Sequence, residues 1–109
     1  MTTWDDRLAI YDELVEKCPR FERKGKTVPY TSANGHIYSI LNNAGELGIR
    51  FSKEVQGRYM EDLNTTHFES HGATMQGYIR IPDEMLDDLQ VLAKYLDESY
   101  DYVMSLEPK

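Results

Sequence analysis

The side chains able to do chemistry are few, and their spacing limits what each can do. His67 and His71 are four residues apart, the interval that sets two imidazoles on one helical face for a metal. Phe68, Glu69 and Ser70 lie between them and Gly72 follows at once, so a strand end and turn is expected there instead of a helix. A third ligand would have to be Glu69 or the distant His36. The expectation is therefore two polar histidines flanking a strand end, with no metal and no cofactor. Cys18, the single cysteine, excludes an intrachain disulfide and a Cys-based zinc site. As a nucleophile it would need a histidine base close in space. It falls on the apolar stripe of a predicted helix, which suits a buried structural thiol. Ser39 with His36 has the spacing of a single strand and no oxyanion loop, so no triad is expected. The adjacent acids Asp5-Asp6, Asp83-Glu84, Asp87-Asp88 and Asp97-Glu98 fit helix caps and solvated faces better than a proton-sharing pair in a cleft. No catalytic constellation emerges, and a non-enzyme is expected.

Two further groups point to binding. Residues 17–26 carry +4, from Lys17, Arg20, Arg23, Lys24 and Lys26 against Glu22, while residues 1–16 carry −4, 27–82 carry −1 and 83–109 carry −6. This basic knuckle is either an anion or partner contact through Arg23, Lys24 and Lys26, with Arg80 a further candidate, or a turn lying against the acidic terminal helices. No glycine-rich phosphate loop accompanies it, since Gly25 stands alone. The eight tyrosines are the compositional oddity. Tyr95, Tyr100 and Tyr102 crowd the last helix and are candidates for a protein interface, Tyr102 foremost because it lies off the apolar stripe. The alternative is an amphipathic core edge with hydroxyls reaching water.

The elements that must position these groups follow from periodicity. Trp4, Leu8, Tyr11, Val15 and Cys18, widened by Leu14, form one helical face, with Thr3 as N-cap, Asp5 and Asp6 at the positive end of the dipole, and Pro19 as the stop. An edge strand is expected over Lys26–Val28, before Pro29 and Tyr30. Asn34-Gly35 is a tight-turn signal. His36–Leu41 follows as a strand, with Ile37 and Leu41 expected on one face and Tyr38 and Ile40 on the other. Asn42–Gly45 makes a second turn, and Leu47, Ile49 and Phe51 alternate with Glu46, Gly48 and Arg50. Ser52 caps a second helix through Val55, Tyr59 and Leu63, weakened by Gly57 and ended by Asn64. A short strand over His67–Glu69, a loop over Gly72–Gly77 and a strand over Tyr78–Ile81 come next. Pro82 then opens the last helix, whose stripe is Met85, Leu89, Leu92, Leu96, Tyr100 and Val103, with a possible break near Asp97–Ser99. The order α-β-β-β-α-β-β-α, with an antiparallel sheet of about five strands flanked by helices, is an α+β fold.

At 109 residues the chain is expected to be one domain, 1–109. A net charge of −7 argues against a general nucleic-acid binder and against docking on an anionic leaflet. No apolar run is long enough to span a bilayer, and the polar, acidic start is wrong for a secretory signal, so a cytoplasmic location is expected.

The stretches RKGKTVPY (23–30), GHIYSIL (35–41), GELGIRF (45–51) and TMQGYIRIPDEMLDD (74–88) together resemble the N-terminal domain family of TfoX, also called Sxy, the bacterial competence regulator. The resemblance covers about Leu14 to Leu96 and implies an antiparallel α+β domain flanked by helices. Two departures stand out. Thr31, Ser32, Ala33 and Asn34 occupy the place where the family commonly has a Met-Phe-Gly-Gly turn, and the chain ends at Lys109, as in members lacking the regulator's C-terminal domain. The family supplies no catalytic residues to transfer. The resulting expectation is a non-enzymatic, regulatory domain acting through protein contacts with a partner protein or a second copy of itself, the alternative being a small-ligand or anion-binding module.

Overall fold

The computed structural model describes residues 3–25, 27–70 and 72–109. Lys26 and His71 lie outside the described residues. Helix α1 spans Trp4–Glu16 and begins with a reciprocal capping box: Thr3 Oγ1 accepts from the Asp6 amide, and the Asp6 carboxylate accepts from the Thr3 amide. Strands β1 (Tyr30–Ala33), β2 (His36–Leu41) and β3 (Leu47–Arg50), helix α2 (Lys53–Asp62), strands β4 (His67–Ser70) and β5 (Ala73–Arg80), and helix α3 (Leu89–Met104) complete the α+β order. All five strands form one antiparallel sheet, β1-β2-β3-β5-β4. Among the described residues no helix is long and apolar enough to cross a membrane.

The helices bury one face of the sheet. Tyr11, Leu14 and Val15 of α1 and Leu92, Leu96 and Val103 of α3 pack with Leu41, Leu47, Ile49, Ile79 and Ile81. Two extra-residue irregularities shape the sheet. On β2, Tyr38 is a bulge: Thr31 pairs with Ser39, and Ser32 with Ile37. The bulge overturns the simple alternation expected there. Tyr38 and Leu41 both join the helix-side core, Ile40 alone faces the opposite side, and Ile37 is exposed. The Tyr38 carbonyl meets Ser99 Oγ of α3 at 3.3 Å, and Ser99 Oγ also bonds the Arg50 carbonyl. That is why Asp97–Ser99 does not break the helix: Ser99 is buried against carbonyls that need a donor.

On β5, residues 75–78 stand opposite the single residue Phe68 of β4. The sheet therefore coils on itself, and the Phe68 ring lies against Gly48 of β3, two strands away. Phe68, Ile40 and Tyr78 form a second small core on the face away from the helices, sealed by Val28, Tyr30 and Met75.

Three expected boundaries move. The first strand starts at Tyr30, after the proline, where the Tyr30 backbone pairs with that of Lys24 as well as with β2. The segment expected as a loop over Gly72–Gly77 is the first part of β5, its outward positions Ala73, Thr74 and Gln76 polar or small enough to hide the strand signal. Pro82 opens a 3-10 turn, Asp83–Asp87, and α3 starts only at Leu89, where Asp88 caps the Val91 amide.

Candidate anion-binding groove

The basic knuckle lies against acidic helices. Arg23 Nε bonds Asp12 Oδ1 at 2.5 Å, and its Nη1 donates to the Gly25 carbonyl at 2.6 Å. Arg20 reaches Asp101 at 2.8 Å and Asp97 at 3.1 Å on α3, contacts that raise its pKa further, and its guanidinium covers the Tyr100 ring. Lys24 Nζ sits 3.4 Å from Ser32 Oγ. Arg80 pairs with Glu46 at 2.9 Å. Lys24, Tyr30, Ile40, Gly48 and Arg80 are successive partners across the sheet, so four strand spacings, about 19 Å, separate Lys24 from Arg80. Among the described residues, Arg23, Lys24 and Arg80 do not converge on one site.

The tyrosines separate likewise. Tyr95 belongs to an edge-to-face cluster with Phe51 and Tyr59, and Tyr100 stacks on Phe21 with its ring centroid 5.2 Å away. Both are core-edge residues. Tyr11 shares its hydroxyl with Ser39 Oγ at 2.6 Å, and Ser39 bonds Thr31, so Ser39 is a buried structural hydroxyl. Cys18 is buried, its thiol pushed up to about 11, mainly by burial and further by Asp97, against the opposing effect of Arg20. A neutral, enclosed thiol is a poor nucleophile. His36 Nε2 lies 2.9 Å from the Glu107 carbonyl, among the chain's last residues. Among the described residues no three His, Cys, Asp or Glu side chains gather as a metal-binding set.

The cations that do come together are different ones. Where β3 hands over to α2, a groove of about 440 Å³ is lined by Arg50, Phe51, Lys53 and Gln56, by His67 of β4, by Gln76 and Gly77 of β5, and by Tyr102 of α3. None of these residues is acidic. Arg50 ends β3 opposite Tyr78, and its carbonyl is fixed by Ser99. Gly77 lies beside its side chain, on a left-handed backbone at φ +85° that favours glycine; a Cβ there would stand in ordinary contact, 3.4 Å from Arg50 Cγ and 3.6 Å from Nε. On the other side the guanidinium sits 5.7 Å from the centre of the Tyr102 ring. Ser52 Oγ caps the start of α2, and the buried Gln56 donates Nε2 to the Tyr78 carbonyl at 2.9 Å, which locks this first turn to β5. The positive end of the α2 dipole therefore forms one wall.

Of the six arginines, Arg7, Arg20, Arg23 and Arg80 have carboxylate partners. Neither Arg50 nor Arg58 has one among the described residues; Arg58 is exposed beside the Tyr59 ring, whereas Arg50 is partly buried and faces a concave site. Such a group attracts anions in a low-dielectric cleft. Tyr102, singled out by its position off the apolar stripe, does line this groove. Arg50, Lys53 and Gln56 were not singled out by sequence reasoning, and the only local signal was a pair of cations flanking the Phe51-Ser52 strand-to-helix junction. No protein-family model matches the chain, and no curated protein matches it.

Proposed function

We propose that this chain is a non-enzymatic recognition module that holds a small anionic ligand in the groove between β3, β5, α2 and α3. The observation that carries the reading is Arg50, an arginine without a carboxylate partner among the described residues, sharing a concave, acid-free lining with Lys53 and His67 in a protein of net charge −7. Binding without transformation also accords with the resemblance to the TfoX N-terminal domain, which brings no catalytic residues. A thermal-shift series with phosphates, sulfate and carboxylates tests it. A ligand at 100 times its dissociation constant adds about 2.7 kcal/mol, on the order of 10 °C for a domain of this size. Arg50→Met, which keeps the bulk against Tyr102, removes the shift, and Arg80→Met keeps it. No response to any anion overturns the reading.

A protein-contact role is the second reading. One surface feature favours it: Val91, 41% exposed, beside Tyr59 and Tyr95 in a shallow depression of about 270 Å³ flanked by Lys94 and Glu98. The partner is another protein or a second copy of the chain. Sedimentation across a hundredfold concentration range detects self-association, and a Val91→Lys variant abolishes it if this patch is the contact.

A further inference from the structure

Resting on the anion-binding reading, we infer that the groove selects a small-molecule phosphomonoester in its dianionic form over carboxylates and over phosphodiesters. Charge count comes first. Arg50 and Lys53 place two positive charges in one lining, and no acidic residue there offsets either. A monoanion leaves one of them without a counter-charge, whereas a phosphomonoester carries about −1.5 to −2 at neutral pH and matches both.

Donor geometry gives the same answer. An arginine guanidinium is a planar fork suited to two oxygens of one phosphate, and a lysine ammonium is a mobile point charge with three donors. His67 brings a third nitrogen-bearing side chain from β4. A monoester presents three terminal oxygens to this set. A diester presents two and a carboxylate two, so the same donors must share fewer oxygens and crowd one another around a single negative charge. The Tyr102 ring, 5.7 Å from the guanidinium carbon, narrows the positions that the fork takes. A side chain ordered before binding loses less entropy when the ligand arrives.

The remaining lining says what the phosphate is attached to. Beyond the cations lie the Tyr102 ring and the exposed amide of Gln76, an aromatic face and a combined donor and acceptor. At about 440 Å³ the groove falls within the range of small-molecule sites. An organic phosphate with a flat or ring-bearing substituent therefore uses more of it than inorganic phosphate does.

The test compares four probes at one ionic strength and pH 7.5 by titration calorimetry: phenyl phosphate, methyl phenyl phosphate, phenylacetate and inorganic phosphate. Phenyl phosphate is expected to bind at least tenfold more tightly than the diester and the carboxylate, which is about 1.4 kcal/mol, and more tightly than inorganic phosphate. Lys53→Met, at an exposed position where folding is not at stake, reduces the preference for the monoester over the diester, and Arg50→Lys retains more of it than Arg50→Met. If the three aryl probes bind equally and Arg50→Met weakens all of them, the groove is an anion site and the monoester selectivity is refuted. If no probe binds, the anion-binding reading falls as well. If binding survives in both Arg50→Met and Lys53→Met, the site lies elsewhere and the inference is refuted.

Discussion

Gly48 offers a sharp test of the coiled sheet, because the sign of a substitution there is set by one neighbour. Gly48 sits inside β3 and is absent from the residues with positive φ, so its backbone accepts any side chain. In a strand interior, glycine is ordinarily about 0.5–1 kcal/mol worse than alanine, and Gly48→Ala would be stabilising on that ground. Here a Cβ would stand 2.5 Å from Phe68 Cγ and 2.7 Å from Cε2, against an ordinary carbon–carbon contact of about 3.5–4.0 Å. The ring would have to move by about 1 Å. It is fully buried, stacked on Tyr78, and hemmed in by Ile40 and Met75, so it has nowhere to go. Overpacking of this kind costs about 1–3 kcal/mol. The expected result is therefore a net loss of about 1–2 kcal/mol for Gly48→Ala in urea unfolding. Phe68→Ala alone costs about 3–5 kcal/mol. In the Phe68→Ala background the clash is gone, and Gly48→Ala becomes neutral or stabilising. The double-mutant cycle thus yields a coupling of about 1–3 kcal/mol with the two losses less than additive. Strict additivity, or a stabilising Gly48→Ala in the intact protein, would refute the packing of β4 across β3.

Alkaline pH and the β1–β2 turn provide two more measurements. Tyr11, Tyr38 and Tyr78 are buried, and burial raises each phenol above its ordinary value near 10. A raised pKa means the folded state holds its protons longer, so this contribution is intact below about pH 10 and is lost as pH rises beyond it. Three groups at about 1.4 kcal/mol per pH unit lower stability by about 4 kcal/mol per unit. Absorbance of the phenolates and far-UV circular dichroism should show these three ionising together with unfolding; ionisation of all eight tyrosines before helix is lost would contradict it. Asn34 holds φ 57° in the hairpin turn while its Nδ2 donates to the carbonyls of Val103 at 3.0 Å and Leu106 at 2.8 Å. Asn34→Ala should cost about 2–4 kcal/mol, from the left-handed backbone and the lost donors together, and Asn34→Gly only the donor part, about 1–2 kcal/mol. Equal losses in the two variants would show that the turn geometry contributes nothing.

What could be read from the sequence was whatever depends on near neighbours. The Thr3 N-cap of α1, the Leu92–Leu96–Val103 stripe of α3, the Asn34-Gly35 turn and the alternation of β3 each involve residues within a few positions of one another, and all appear where expected. The features that were not legible depend on distant partners. Nothing local marks Tyr38 as a bulge, since its carbonyl is met by Ser99, 61 positions away. The strand character of residues 73–77 is masked by small and polar side chains, and only pairing with β4 makes the segment a strand. The basic knuckle looked like free charge because its neutralising carboxylates lie 11 positions away at Asp12, and 77 and 81 positions away at Asp97 and Asp101. The groove has the same character: Arg50 and Lys53 are neighbours, but His67, Gln76 and Tyr102 reach them through three different elements.

The same long-range pairing explains why charge density along the chain was a poor guide to the site. The densest positive run, residues 17–26, holds two arginines that the acidic helices reach, and ion pairs at Arg20 and Arg23 offset part of its attraction for other anions. Acid is not scarce, with nineteen Asp and Glu in the chain, so an arginine left unneutralised reflects geometry and not shortage. Arg50 escapes because the groove around it is lined by Gln56, Gln76, Gly77, Tyr102 and other basic side chains, with no carboxylate among them. A partly buried cation in a concave setting contributes more to binding an anion than a lysine on an open turn, since the field is stronger where the surroundings are less polar than water and less entropy is lost on contact. On the proposed reading, the weight of Arg50 comes from its place in the groove together with its lack of a carboxylate partner there, and no run of letters in the sequence announces either.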